Sequence, residues 1–464
     1  MLIENVRIGF ATNSSSSHSV VVLAKQPLTD HPSDDCCYGW ENFTLAGTNS
    51  KRDYLAVALC DALRKQVSEE VAVAVTRDWL HPNDEALDPD SYIDHQSTPA
   101  LPVSWGGAGV DKEYIDDFMN LLMRPDITIL GGNDNSDGHP LLEDAKQVIA
   151  IPSDYSPSIA RKNGNLWTLF SRERGWKTTF SFEDTIIPDP NAPPELIDLK
   201  ITNRCYRGCD FCYQDSTPEG KHADYFYSLL DVLEKLRVFE VALGGGEPTL
   251  YPDFADLARS LWRRGVTPNF STASMDWMRD RKRYEMLDYC GGFAYSARTM
   301  DEAREFWALA QSIGLNGTDR PAVSIQIIPA LWTSILGELF PWAKAVGVPL
   351  TLLGFKQVGR GETPPNRYGG DYLKDERSAW KYIEEAISKH RTGVLSFDTT
   401  LAQRYQTEIV KLGISPRLYR LDDKTSWYID AVEHRHGANS YSPTEPLVWR
   451  EENIEYALTH RLNV

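Results

Sequence analysis

Six times between residues 196 and 398 the chain follows a short apolar run with a longer stretch patterned like a helix, and this alternation restricts the fold more than any other feature. It begins after IIPDPNAPPE (Ile186 to Glu195), whose prolines cannot continue a helix or a central strand and so mark residues 186–195 as a linker. ELIDLKIT reads as a buried strand. DYFYSLLDVLEKL then places Phe226, Leu229, Leu230, Leu233 and Leu236 on one helix face, EVALGGG reads as a second strand, and DFADLARSLWRRG as a helix closed by Gly265. TPNFSTA, GFAYSAR, AVSIQIIP and PLTLLGFK continue the strands. Among the later helices TMDEAREFWALAQSIG carries the fullest signals: a Thr299/Glu302 capping box, apolar Ala303, Phe306, Trp307, Ala310 and Ile313, and Gly314 beyond its end. Parallel neighbours need crossover connections, so the alternation predicts an α/β fold with a parallel sheet and helical crossovers. The pattern alone leaves open whether the sheet closes. In either case chemistry belongs at the loops that follow the carboxyl ends of the strands.

The flanking segments differ in charge. Residues 1–195 hold 30 acidic against 15 basic residues, a net charge of −15, whereas residues 196–464 hold 36 against 33, a net of −3. Such an acidic module repels polyphosphates, which disfavours a long nucleic acid as partner. A chain of 464 residues suggests two or three domains. Residues 1–185 read as an N-terminal α+β module, with helices in DYLAVALCDALRKQ and in EYIDDFMNLLM, where Tyr114, Ile115, Phe118, Leu121 and Leu122 share a side, and with β-like runs SVVVLA, ITIL and QVIAI. Residues 399–464 read as a short C-terminal extension with one helix and a hairpin around SWYIDAVEHRHGANSYS. No run reaches the ~18 apolar residues of a membrane span, and MLIENVRIGFATNSSSSHS lacks the apolar core of a signal peptide. Seven cysteines, including the adjacent Cys36 and Cys37, do not pair off as a disulfide framework, so the expected location is the reducing cytoplasm.

Three of those cysteines fall within eight residues. CYRGCDFCYQDS places Cys205, Cys209 and Cys212 at C-x3-C-x2-C spacing in the loop after the first strand. Thiolates on one tight loop can reach three corners of an iron–sulfur cluster and leave the fourth open. A structural zinc site wants four ligands, for which His222 and Cys290 are the nearest later candidates. Unliganded, packed thiols are a third possibility. At the end of the second strand, LGGGEPTLYPDF sets three glycines before Glu247 and Pro248. Bare backbone admits a closely approaching ligand, and a carboxylate there suits an ammonium group. A plain glycine turn with an exposed glutamate is the alternative.

With CYRGCDFCY and GGEP at the ends of the first two strands, about 33 residues apart, the chain resembles the radical S-adenosylmethionine (radical SAM) superfamily over roughly residues 194 to 398. The resemblance implies a partial (β/α)6 barrel over 196–398, with a [4Fe–4S] cluster on Cys205, Cys209 and Cys212 and with S-adenosyl-L-methionine (SAM) chelating the remaining iron. It implies that Tyr213 packs near the adenine and that Gly245, Gly246 and Glu247 hold the methionyl amino group. Ser296 would meet the ribose hydroxyls, Arg298 the carboxylate, and Lys356 to Gly361 the neighbourhood of the cofactor. From the residues alone, Ser296 is equally a barrel-lining hydroxyl and Arg298 a helix-end ion-pair partner. The implied activity is reductive cleavage of SAM to a 5'-deoxyadenosyl radical, which takes hydrogen from a small molecule or from a peptide or protein side chain. It calls for a low-potential electron donor such as flavodoxin or ferredoxin. Modification or rearrangement of a nucleotide or nucleobase is a second reading, and a non-catalytic zinc- or iron-binding scaffold a third. No acid–base residue is singled out.

Relatives that modify peptides carry further cysteines after the barrel for auxiliary clusters. This chain has none after Cys290, which points to a single cluster. FATNSSSSHS and ILGGNDNSDGHP combine Asn, Ser or Asp with a His. In the second, Asn133, Asn135, Asp137, Gly138 and Asp144 space out like a cation loop, but Asn stands first where calcium loops want Asp, so turn-forming chemistry is favoured. Both loops are expected to flank the barrel mouth. His434 and His436 read as solvated hairpin residues, and Cys36, Cys37, Cys60 and Cys290 as ordinary thiols. Anaerobic reconstitution is expected to yield about four irons per chain, and Cys209→Ala to abolish cluster and SAM cleavage together, because two thiolates cannot hold the cube. About eight irons would reveal a second cluster.

Overall fold

In the computed structural model of the chain the described residues are 189–460 except 225–226, 316–319, 363–371, 391–394, 413–424 and 442–443. Before these come 2–7, 19–23, 37–38, 43–64, 67–82, 84–87, 92–93, 123, 127–131, 148–151, 159–172, 175, 177–181 and 187. The chain divides into two compact units, Met1–Ile3 with Asn13–Ile187, and Glu4–Thr12 with Pro188–Val464.

The second unit is built on one ten-stranded sheet. Its strands are β1 (Leu196–Thr202), β2 (Glu240–Gly245), β3 (Thr267–Thr272), β4 (Gly292–Ser296), β5 (Ala322–Ile327), β6 (Leu350–Leu352), β7 (Leu395–Phe397), β8 (Ser426–Asp430), β9 (Arg435–Gly437) and β10 (Glu445–Pro446), in the spatial order β7-β6-β5-β4-β3-β2-β1-β8-β9-β10. Neighbours from β7 to β8 run parallel, and β8, β9 and β10 run antiparallel. The six expected strands are therefore present as parallel neighbours, lying side by side in chain order, and β7 extends them on one side. The predicted hairpin in the tail also forms, as β8 and β9. It is not a separate appendage, because β8 lies parallel to β1 with Lys200 opposite Asp430. The described part of residues 399–460 holds three helices, not one, at Thr399–Arg404, Gln406–Lys411 and Glu451–Thr459.

The period of two along each strand separates two environments. Ile197, Leu199 and Ile201 of β1, Val241 and Leu243 of β2, Phe293 and Tyr295 of β4, and Val323 and Ile325 of β5 enter the core under the helices. Their neighbours Asp198, Lys200, Ala242, Ser296 and Gln326 line a cavity on the other face. The crossover helices α1 (Tyr227–Lys235), α2 (Phe254–Arg263) and α3 (Met300–Ser312) bury one stripe each: Leu229, Leu230 and Leu233; Phe254, Leu257, Ala258 and Leu261; Ala303, Phe306, Trp307 and Ala310. Phe226, expected on the first stripe, lies outside the described residues.

Thr299 caps α3 by accepting the Glu302 backbone N–H at 3.1 Å. The reciprocal bond expected of a capping box is absent among the described residues. The Glu302 carboxylate accepts instead from the backbone N–H of Arg298 at 2.8 Å and pairs with Arg207, because the cysteine loop brings a cation within reach.

In the first unit the helix Thr48–Arg64 packs on Glu69–Leu80 around buried Tyr54, Leu55, Leu59 and Leu63. The runs SVVVLA, ITIL and QVIAI form the strands Ser19–Leu23, Ile127–Gly131 and Val148–Ile151, antiparallel neighbours in one sheet. An antiparallel meander, Ile159–Asn163, Leu166–Phe170 and Lys177–Ser181, adds strands that the sequence pattern does not announce. The helix expected in EYIDDFMNLLM, most of FATNSSSSHS, and Asn133, Asn135, Asp137, Gly138 and Asp144 lie outside the described residues. So does Cys36. Among the described residues no helix is long and apolar enough to cross a membrane.

Phe293 holds the centre of the larger core, stacked on Phe270 at 5.1 Å and edge-on to Trp277 at 5.3 Å and Phe306 at 6.0 Å. Phe293→Ala is expected to cost about 3–5 kcal/mol, read as a lower urea midpoint for the second unit. A loss below about 1 kcal/mol would mean that the cavity left by the ring collapses.

Candidate active site

The site grows from the way β1 and β2 end. Gly246 N–H donates to Thr202 O at 2.7 Å and Glu247 N–H to Arg204 O at 2.8 Å, tying the turn after β2 to the start of the cysteine loop. Only glycine permits this approach. A Cβ at Gly245, which sits at φ +113°, would lie 2.2 Å from Thr202 O, and one at Gly246 would lie 2.2 Å from Arg204 O. The cysteine loop itself closes at its neck, where Cys205 N–H donates to Thr217 O at 2.9 Å and Asn203 N–H to Lys221 O at 2.8 Å.

Cys205, Cys209 and Cys212 are free, half-buried thiols that line one cavity of about 460 Å3, together with Tyr213, Gly245, Gly246, Glu247, Ser296 and Arg298. These nine residues thus line one cavity, and of the stretch Lys356 to Gly361 only Lys356 joins them in its lining. Burial pushes the Cys205 and Cys209 thiols up, with Arg298 opposing it at Cys209. Arg298 Nη2 donates to Cys209 Sγ at 2.5 Å, and its guanidinium lies 5.6 Å from the Phe211 ring centre. It is therefore placed against the cysteine loop and is not the simple helix-end ion-pair partner that the residues alone allowed.

Glu247 is buried, not exposed, which overturns the plain-turn reading of GGEP. Its Oε1 accepts from Thr249 Oγ1 and Thr272 Oγ1, both at 2.7 Å, and from Thr249 N–H at 3.3 Å, while Oε2 accepts from Ala273 N–H at 2.8 Å. Burial raises the carboxyl above its ordinary range, and those hydrogen bonds pull against the rise.

Ser296 Oγ accepts from Gln326 Nε2 at 2.6 Å, and Gln326 Oε1 accepts from Ser271 at 3.3 Å, so three inward-facing strand residues form one polar chain. Tyr213 lies under the Lys356 ammonium at 4.5 Å, and Tyr441 lies at 5.0 Å from it. Burial alone would lower the Lys356 pKa, but Tyr213, Asp398, Asp198 and Tyr441 outweigh it and hold the group charged. Lys200 and Asp430 form a buried ion pair at 2.9 Å, and both Asp430 oxygens have further partners: Val432 and Glu433 N–H at 3.0 Å, and Tyr428 OH at 3.5 Å.

The fourth ligands suggested for zinc are elsewhere. His222 Nδ1 bonds Thr202 Oγ1 at 2.9 Å. Cys290 is fully buried before the amino end of β4, its thiol pushed up to about 12 by burial. Among the described residues no three His, Cys, Asp or Glu side chains converge as ligands of a single ion. His434 is exposed and stacks on Trp449, whereas His436 is half-buried and accepts from Trp427 Nε1 at 3.2 Å, so only the first is a solvated hairpin residue.

Sequence reasoning missed Gln326, Thr272, Lys200 with Asp430, and Arg207 with Glu302. For Lys200 and Gln326 a signal existed, since a polar residue alternating with buried aliphatics in a strand marks an inward face.

Residues 199–308 match the family model of the Radical SAM superfamily, and the chain thus carries a radical SAM domain. It is similar to the tungsten-containing aldehyde ferredoxin oxidoreductase cofactor-modifying protein of Pyrococcus furiosus, 37% identical over 79 residues that make up 16% of this chain and 22% of the relative. It is also similar to the PqqA peptide cyclase of Gluconobacter oxydans, 28% identical over 22% of this chain and 28% of the relative. The mycofactocin maturase MftC of Mycobacterium ulcerans is 33% identical over 17% and 22% respectively. The chain therefore spans less than a third of the length of these curated relatives. Among solved structures, Streptococcus suis SuiB bound to S-adenosylmethionine matches 55% of this chain and 63% of its own at 16% identity and TM-score 0.40. SuiB bound to precursor peptide SuiA matches 60% and 73% at 14% identity and TM-score 0.43.

The superfamily uses a [4Fe–4S] cluster and SAM, and the residues fit both. Three thiols could supply sulfur donors, and the cavity also holds the Glu247 carboxyl and the Arg298 guanidinium, groups that could meet the two ends of an amino-acid zwitterion. Gly246→Ala is expected to destabilise the second unit by about 1–3 kcal/mol or more. Gly244→Ala, whose Cβ would meet nothing within 4 Å, should change stability by less than about 0.5 kcal/mol. Equal urea midpoints for the two variants would mean that the turn yields.

Proposed function

We propose that the chain is a radical SAM enzyme that acts on a peptide. The observation that carries this is the meeting of three thiols, a buried carboxylate and a guanidinium in one cavity at the carboxyl ends of parallel strands. Cys205, Cys209 and Cys212 would hold the cluster, and Glu247 and Arg298 the amino and carboxylate ends of SAM. When bound, these groups supply reductive cleavage of SAM to a 5'-deoxyadenosyl radical, which takes hydrogen from an unactivated carbon.

The chain's own residues do the rest. Thr249, Thr272 and the Ala273 N–H aim the Glu247 carboxylate. Phe211 packs edge-on to Trp332 at 6.2 Å, beside Ile328 and Phe355, and this apolar group keeps water from the cavity rim. Ser296 and Gln326 offer hydroxyl and amide groups to a ribose. The name of one curated relative, a peptide cyclase, supports a peptide over a nucleotide as substrate. A low-potential donor of the flavodoxin or ferredoxin kind, and a cytoplasmic location where free thiols persist, belong to the same reading.

The test is anaerobic. A reconstituted protein is expected to be brown and to release 5'-deoxyadenosine from SAM after dithionite, whereas a colourless, zinc-loaded and inert protein would defeat the proposal. Glu247→Gln should keep the colour and weaken SAM roughly 10- to 100-fold, the worth of a hydrogen bond to a charged group. Because burial raises the Glu247 pKa, its ammonium-binding form is gained as pH rises through that raised value. SAM affinity should therefore strengthen as pH rises above the ordinary carboxylate range in wild type, and that rise should be lost in Glu247→Gln, by equilibrium dialysis. Loss of colour in that variant would assign Glu247 a structural role.

A further inference from the structure

The half of the cysteine loop that holds Cys209 and Cys212 has little of its own to define its shape. Within it, Cys212 N–H reaches Cys209 O at 3.3 Å and Asp215 N–H reaches Cys212 O at 3.4 Å, both long for such bonds. Asp215 sits at φ +52°, a conformation that costs an L-residue and persists only where surroundings enforce it.

The enforcement comes from the turn after β6, Gly359–Gly361, some 145 residues away. Arg360 N–H donates to Cys212 O at 3.1 Å and to Asp215 Oδ1 at 2.9 Å. Its guanidinium donates from Nε to Cys209 O and from Nη2 to Ser216 O, each at 2.9 Å, with Nη1 at 3.8 Å from Asp215 Oδ1. Gly359, at φ +58°, makes the approach possible, since a Cβ there would lie 2.8 Å from Tyr213 O and 2.9 Å from Cys212 O. One planar fork thus engages the carbonyl of the second cysteine and one four residues beyond the third. That shape matches guanidinium and not ammonium.

We propose that Arg360 is a positioning residue for the cluster: it clamps the Cys209–Cys212 half of the loop in its ligand-bearing conformation and sets a positive charge beside the metal site. This rests on the reading of the loop as a cluster site. The Cys205 end is held independently by Thr217.

Wild type, Arg360→Gln and Arg360→Lys are compared with matched melting temperatures. In the metal-free proteins, alkylation by iodoacetamide is followed at each cysteine by mass spectrometry. Arg360→Gln is expected to raise the rates at Cys209 and Cys212 roughly tenfold and to leave Cys205 nearly unchanged. In the reconstituted proteins it should release iron to a chelator roughly tenfold faster and shift the cluster midpoint potential to a more negative value, because a cation that favours the reduced state is gone. Arg360→Lys should restore the potential but not the iron retention. Unchanged alkylation and iron release in Arg360→Gln would overturn the clamp. A wild type that takes up no iron would overturn the cluster reading itself, whatever the alkylation shows, so the two failures are read separately.

Discussion

Two backbone hydrogen bonds, from Gly246 to Thr202 and from Glu247 to Arg204, are what the rest of the site depends on. They exist because no Cβ stands between the strand ends, and they fuse the loop that carries the thiols to the turn that carries the carboxylate. Once that seam is closed, Glu247 is buried and must be satisfied, which the hydroxyls of Thr249 and Thr272 accomplish. The cost of burying a carboxylate is thereby offset in part by neutral partners, which leave no fixed counter-charge beside it.

Much of this was legible in the residues, and the reason is local. The strands follow from short apolar runs alternating with helical stretches, and the places of Cys205, Cys209, Cys212 and Glu247 follow from standing directly after strands. The capping signal at Thr299 is local too, and it formed. Glu302, by contrast, satisfies the motif while its carboxylate serves Arg207 and Arg298, since sequence spacing cannot show that a cation from 95 residues earlier will arrive.

What escaped reading is long-range. Lys200 alternates with buried aliphatics, so its inward direction could be read, but its partner Asp430 comes from a strand 230 positions later that joins the other side of β1. For Gly359 to Gly361 the resemblance implies only nearness to the cofactor. Only the fold brings that segment against the backbone of the cysteine loop. In each case the missing information is a register or a crossover, fixed by the whole sheet and by no single segment.

The parallel seat of β8 against β1 changes what the tail is. A hairpin held only by its own turn could be exchanged between related chains like a cassette. Here Lys200 would be stranded without its counter-ion, and the inner wall would lose Tyr428 and Ser440. Any recombination joint is therefore better sought ahead of β1 than behind β7.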